Sequence, residues 1–288
     1  MRNNALNWQS KLILLLVLPA VSCSLVFETH DWLQVAPAVV YFALGLSALL
    51  GILTLALRAA TPFAAFTGAV ITAQLMFATS AEPYHAWRTY LIAVLAVSLL
   101  AFACTRIGRA KKELLGLAEA RRGRSAAQVA ANLGAAAIVS TGIFEDLALN
   151  IQWLPHSAAA LLIGSLAAMA EAAADTVSSE IGQVFGGRPI MITTLRQVEP
   201  GTDGGITVLG SLAGAIAAII VAALGAFAVH GDLHFFSVSL AGAVFGLFFD
   251  SLLGATLERR GWLNNDGVNF LSTVSAAAFA LAWITTFK

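Results

Sequence analysis

The chain has 288 residues, of which 59% are hydrophobic and 11% charged, against about 45–50% and 25% in soluble domains. Sixteen basic side chains balance sixteen acidic ones, and the mean hydropathy is +0.83. These figures exclude a disordered chain, a basic nucleic-acid binder and a soluble globule, and two cysteines, Cys23 and Cys104, make no disulfide framework.

A helix crosses the hydrocarbon of a bilayer in about 20 apolar residues. In chain order, nine stretches meet that need: 12–27, 33–57, 62–80, 88–104, 127–149, 157–175, 206–229, 235–254 and 268–287. The runs are long and unbroken, without the period-two alternation of an outer-membrane barrel. The expected fold is all-α, a polytopic transmembrane helical bundle of about nine spans. With the N-terminus cytoplasmic, fourteen of the sixteen basic side chains fall on the inner side and only Arg88 and Lys288 on the outer. That bias predicts an integral protein of the inner or plasma membrane with its active face to the cytoplasm. The first span contains Pro19, and Arg2 and Lys11 ahead of Ala20-Val21-Ser22-Cys23 also fit a signal peptide or a poor lipoprotein box. Residues 1–104 form an N-terminal group of about four helices. Residues 105–288 form a motif-bearing core with cytoplasmic loops 105–126, 176–205 and 255–267.

Polar residues with chemical potential collect at inner helix ends and inner loops. The segment Thr105–Gln128 holds seven basic residues, whose plain reading is orientation and headgroup contact. It runs through Arg121, Arg122 and Arg124 to Gln128 and Asn132, which lie four apart and so on one helix face. Next, Glu171 and Asp175 share a face that Ser178 and Ser179 continue, with Glu180 just beyond. Ionisable groups bordering a span are costly and face a cavity or a partner. Carboxylates among hydroxyls suit Mg²⁺, which takes one or two carboxylates plus substrate phosphates; the plain alternative is an ion pair with Arg188 or Arg196. The loop from Gly186-Gly187-Arg188-Pro189 through Thr193-Thr194-Leu195-Arg196 to Pro200-Gly201-Thr202-Asp203-Gly204-Gly205 leads directly into the span at 206. Glycine-rich backbone before a helix N-terminus offers N–H groups to an anion, and arginines add charge-assisted hydrogen bonds; an ordinary flexible turn is the alternative. Asp250 interrupts an apolar run, and Asn269, opening the last span, is either a helix cap or a ligand contact. His30, His85, His156, His230 and His234 fall on the outer side without a metal-ligand spacing.

These motifs resemble the integral membrane proteins of domain-of-unknown-function family 92. The resemblance rests on Ala174-Asp175-Thr176, Ser179-Glu180-Ile181-Gly182, Arg188-Pro189, Ile192-Thr193-Thr194-Leu195 and Pro200-Gly201-Thr202-Asp203-Gly204-Gly205. Arg124 with Gln128-Val129 and Asn132, the run Phe249–Ala255, and Asn269-Phe270-Leu271 extend it over most of the chain from about residue 105. Thr105-Arg106 departs from an expected Ser/Thr-Lys pair, and the first hundred residues carry no matching motif. The family includes transmembrane protein 19 and the phytyl-phosphate kinase of plants and cyanobacteria. The resemblance therefore implies an isoprenyl-phosphate kinase that turns a phytyl or polyprenyl monophosphate into the diphosphate, with CTP or another NTP as donor.

Phosphoryl transfer needs positioning and charge neutralisation more than covalent chemistry. Asp175, Glu180 and Asp250 are expected to be the catalytic acids holding Mg²⁺. Gly201, Thr202, Gly204 and Gly205 are expected to cradle phosphate, and Arg124, Arg188 and Arg196 to neutralise it. Gln128, Asn132, Thr193, Thr194 and Asn269 would orient ligands, with the lipid tail lying between Ala/Gly-rich helices. The expected partners are a nucleotide, an isoprenyl monophosphate lipid and the membrane, with no nucleic acid. No Walker-type motif occurs. Two alternatives stand beside the kinase: a CTP-dependent lipid-phosphate cytidylyltransferase built from the same parts, and a transporter of small anions or lipids, which predicts polar groups at mid-membrane and on both faces.

Overall fold

The computed structural model describes residues 7–118, 123–150 and 157–286, so Arg2, Arg121, Arg122, His156 and Lys288 lie outside the described residues. Each of the nine apolar stretches is helical. Helices α1 (Asn7–Val35) and α2 (Pro37–Ala56) are followed by α3 (Pro62–Phe77), α4 (Leu91–Arg106) and the short α5 (Arg109–Leu114). Helices α6 (Ala126–Val139) and α7 (Gly142–Leu149) are two arms of one stretch, bent by 55°. After α8 (Ala158–Phe185) comes a small antiparallel hairpin, β1 (Ile190–Met191) with β2 (Gly205–Ile206). Then follow α9 (Val208–Ala228), α10 (Leu233–Leu253), a π turn at Gly254–Glu258, and α11 (Asn265–Thr286).

The helix starts are set by local chemistry. Pro37 and Pro62 occupy first-turn positions, where their missing N–H costs nothing. Thr61, Ser125, Thr141, Ser157, Thr207, Asp232 and Asn264 each accept a backbone N–H three residues on.

Among the described residues, six helices are long and apolar enough to cross a membrane, and up to seven if the bent α6–α7 pair is one span. By length and composition this does not reach the expected nine. Helices α3 and α4 stand where two further spans were predicted, but with 16 residues each they rise only about 24 Å, short of a hydrocarbon core of roughly 30 Å.

One buried cluster runs from Ile13 and Val17 of α1 to Leu281 of α11. At its centre is α8, whose apolar stretch is 78% buried. Large apolar side chains such as Leu15, Tyr41 and Val208 point outward, as a lipid-facing surface requires.

Hydrogen bonds between helix termini distinguish two ends of the bundle. At one, Gln9 donates to the Trp262 carbonyl (2.8 Å), Ser10 donates to Asp266 (2.6 Å) and Arg106 donates to the Leu57 carbonyl (3.1 Å). At the other, Arg88 donates to the Phe227 carbonyl (2.7 Å) and the Tyr90 hydroxyl to the Leu162 carbonyl (2.8 Å). The described basic residues expected inside, from Lys11 and Arg58 to Arg260, gather at the first end, here called the basic end, and Arg88 lies at the second.

Candidate functional site

At the basic end, the C-terminal parts of α8 and α10 and the loop from Pro200 to Thr207 enclose a polar cavity of about 220 Å³. Asp175 and Asp250 both line it as neighbours. One oxygen of Asp250 is buried without a hydrogen-bond partner. One helical turn before Asp175, Glu171 is 1% exposed. Its carboxylate oxygens also lack a hydrogen bond, because the neighbouring Ser272 hydroxyl donates instead to the Asn269 carbonyl (2.9 Å).

Gly201, Thr202, Gly204 and Gly205 form another wall, together with Asp203. Gly204 has φ +76°, and a Cβ there would come within 2.4 Å of the Ala255 backbone nitrogen. Only glycine lets this loop rest on the π turn. That turn has its own consequence for Glu258. Eight residues of regular helix would carry it about 80° away from the Asp250 face, and the extra residue of a π turn takes up the excess. Glu258 therefore lines the same cavity as Asp250. Burial pushes the Asp203 carboxyl above the usual carboxylate range, an effect the Arg259 guanidinium partly offsets.

Arg124 connects this cavity to a second one. It lies beside Asp175, with Nη2 3.4 Å from the Thr176 hydroxyl. Its main chain is held by the link between α2 and α3: its N–H donates to the Ala59 carbonyl (2.9 Å), and its carbonyl accepts from Thr61 N–H (3.0 Å). Gly123 has φ +79°, and a Cβ there would lie 2.4 Å from the Ala59 carbonyl carbon, so the approach requires glycine. Arg124 also lines a largely apolar groove of about 470 Å³ between α2, α3, α4 and α6, with Arg58, Arg106 and Arg109 at the same basic end.

The expected site residues divide sharply. Asp175, Asp250, Gly201, Thr202, Gly204 and Gly205 come together in the polar cavity. Glu180, expected as a third metal ligand, is instead ion-paired with Lys112, neither of the two arginines considered from sequence. The Lys112 ammonium also donates to the Cys104 and Thr105 carbonyls, both at 3.0 Å, closing the C-terminal end of α4. Gln128 forms a reciprocal capping box with Ser125 (2.7 and 3.2 Å). Asn132 donates to the Gln128 carbonyl (2.7 Å) and lines the apolar groove. Asn269 lies inside α11, whose cap is Asn264, so the capping alternative for Asn269 does not hold. Arg188, Thr193, Thr194 and Arg196 are exposed around the hairpin, outside the lining of the cavity. Glu258, Arg259 and Lys112 were not singled out from sequence. Polar groups are also not confined to the basic end: Glu28 accepts from Gln74 (2.7 Å) and Ser24 (3.2 Å) among the described residues of α1 and α3.

Two neighbouring carboxylates in one cavity, one with an unpartnered oxygen, fit a divalent cation that completes its shell with phosphate oxygens and water. Among the described residues, no group of three or more His, Cys, Asp or Glu is arranged to hold a metal by itself.

The sequence matches the family model described as "Integral membrane protein DUF92" over residues 21–277. An uncharacterized membrane protein of Methanocaldococcus jannaschii is 37% identical over 186 residues, 64% of this chain and 72% of that one. Another, from Synechocystis, is 34% identical over 200 residues, 68% of this chain and 73% of that one. The Arabidopsis thaliana "Protein VTE6, chloroplastic" is 29% identical over 195 residues, 65% of this chain and 57% of its own length. No solved structure matches.

Proposed function

From the chain's membership of the integral membrane protein family DUF92 and from its acidic cavity, we propose that it is a lipid-phosphate kinase working at the cytoplasmic face of its membrane. The observation that carries this reading is the meeting of Asp175, Asp250 and the glycine-rich loop in one cavity, with Arg124 at its edge. The resemblance of the same motifs to those of phytyl-phosphate kinases supports an isoprenyl monophosphate as acceptor and CTP or another NTP as donor.

At about 220 Å³ the cavity is smaller than the roughly 300–1,000 Å³ of most ligand pockets. It suits a polyphosphate, with the base left at the surface. Within the loop the Thr202 and Gly205 N–H groups already donate to the Glu199 and Thr202 carbonyls, so the amides of Gly201, Asp203 and Gly204, just ahead of α9, are the ones that hold the phosphates. Asp175 and Asp250 are the residues that would hold Mg²⁺, which when bound supplies charge neutralisation at those phosphates. Arg124 neutralises the acceptor, whose phosphate oxygen is already an anion and needs no strong base. That oxygen attacks the γ-phosphorus; a new P–O bond forms, the bond to the β–γ bridging oxygen breaks, and the nucleoside diphosphate leaves with the electron pair. The product is a lipid diphosphate. Glu180 with Lys112 fastens α4 and α5 to α8 and takes no part in the chemistry.

The test is turnover by purified protein with Mg²⁺, labelled CTP, ATP or GTP, and phytyl or geranylgeranyl monophosphate. The expected product is the lipid diphosphate, and Asp175→Asn and Asp250→Asn each lower the rate by orders of magnitude at unchanged folded yield. A nucleotidyl-linked lipid would identify a cytidylyltransferase instead. Absence of turnover across the panel, or full activity in both variants, would refute the kinase reading.

A further inference from the structure

The groove joins α2, α3 and α4, from the part of the chain that carries no family motif, to the motif-bearing Arg124 and α6, and it has two chemically distinct regions. Its shaft is walled by small and apolar side chains, Ala65, Gly68, Ala69 and Val97 among them. Its mouth holds Arg58, Arg106, Arg109 and Arg124, of which Arg109 is ion-paired with Glu113 (3.1 Å) just outside the lining. Arg106 is fixed there by stacking on Phe102, 3.4 Å from the ring centroid, and by donating to the Leu57 carbonyl. Arg58 closes α2 in the left-handed region, at φ +53°, a conformation that non-glycine residues rarely adopt. From Ala64 near the mouth to Thr72 deep in the shaft the groove follows α3 for about 12 Å, most of the roughly 15 Å depth of one leaflet. A volume of about 470 Å³ lies within the usual range for ligand pockets.

We propose that this groove seats a single-chain lipid monophosphate, its chain in the shaft and its phosphate among the mouth arginines, beside the acidic cavity that Arg124 adjoins. The assignment rests on the kinase reading for what happens to the phosphate, and on the groove alone for where the lipid binds. A free phosphate would engage only the mouth, and a neutral chain only the shaft, so the two halves together select an amphiphile with an anionic head.

The experiment uses full-length protein in nanodiscs, without nucleotide, and a long-chain alkyl monophosphate carrying a photoreactive diazirine on its tail. Cross-links mapped by mass spectrometry are expected on α3, α4 and α6. Competition should come from unlabelled alkyl monophosphate, but not from inorganic phosphate or the corresponding alcohol. A Cβ at Gly68 meets only Val129, at 3.9 Å, so Gly68→Leu fills the shaft without a backbone clash; Ser98→Phe fills it from the α4 side. Each should lower groove labelling about tenfold. Labels confined to the outer surface, labelling unchanged in both variants, or equal competition by inorganic phosphate would overturn the proposal, and the wild-type map decides even where a variant folds poorly. Groove labelling without turnover on any nucleotide would keep the lipid seat and remove the kinase. Turnover undiminished in both variants would keep the kinase and remove the seat.

Discussion

Replacing Glu180 separates a structural ion pair from a cation ligand. The Lys112 side chain is 1% exposed and that of Glu180 16%, and the other acceptors of the ammonium are the Cys104 and Thr105 carbonyls. Removing one partner of a buried pair costs about 3–5 kcal/mol, because the remaining charge stays buried and uncompensated. Glu180→Leu should fall in that range, towards its lower end given the partial exposure of Glu180. Glu180→Gln keeps an acceptor and loses only the charge, which corresponds to about 1–2 kcal/mol, the difference between charged and neutral hydrogen bonds. Combining Glu180→Leu with Lys112→Met removes both charges and should restore most of the loss. Denaturant titration in detergent micelles, followed by tryptophan fluorescence, would give this order. Folded Glu180→Gln should retain turnover within about tenfold of the parent, a barrier change under 1.4 kcal/mol. The reasoning fails if Glu180→Gln is as stable as the parent yet loses turnover and requires more Mg²⁺, for then Glu180 is a ligand of the cation.

Gly123→Ala should lower turnover more than tenfold, a barrier increase above about 1.4 kcal/mol, because strain at φ +79° and a 2.4 Å approach to the Ala59 main chain both displace Arg124. Folded yield and turnover measured together check this, and an active variant would show that Arg124 tolerates displacement. Asp203→Asn should change the pH dependence of stability. An acid whose pKa is raised in the folded chain contributes stability that is complete below its unfolded pKa, about 3.9, and lost as pH rises through the folded value. The variant should therefore exceed the parent in stability at neutral pH, with the difference vanishing towards acid; a constant or reversed difference would contradict the assigned burial effect.

Much of the bundle is legible in sequence because membrane physics leaves few choices. Long apolar runs must be helices there, and Thr61-Pro62, Ser157 and Asp232 announce their starts. Asp175 and Asp250 were recognisable as two carboxylates bordering apolar runs, and they share a cavity. Glu258 escaped notice because a regular helical repeat places it off the Asp250 face, and the π turn at 254–258 leaves no such periodicity to read. The Glu180–Lys112 pair spans 68 residues, and carboxylate spacing along one helix does not report a lysine arriving from another. Ser125 and Gln128 carry the capping-box spacing, yet the amide had been assigned to a ligand. The sequence implies a lipid tail between Ala/Gly-rich helices but not which helices form the groove, because a shaft of alanines and a lipid-facing wall have the same composition.

On the proposed function, the main-chain grip of residues 59–61 on Arg124 makes the seemingly featureless first quarter of the polypeptide a mechanical component of the transfer. A version trimmed to begin at its earliest signature would keep every recognisable motif and lose the bracket from which this guanidinium hangs. Damage to the turn after Ala56 would then look, in an assay, like damage to the catalytic centre itself.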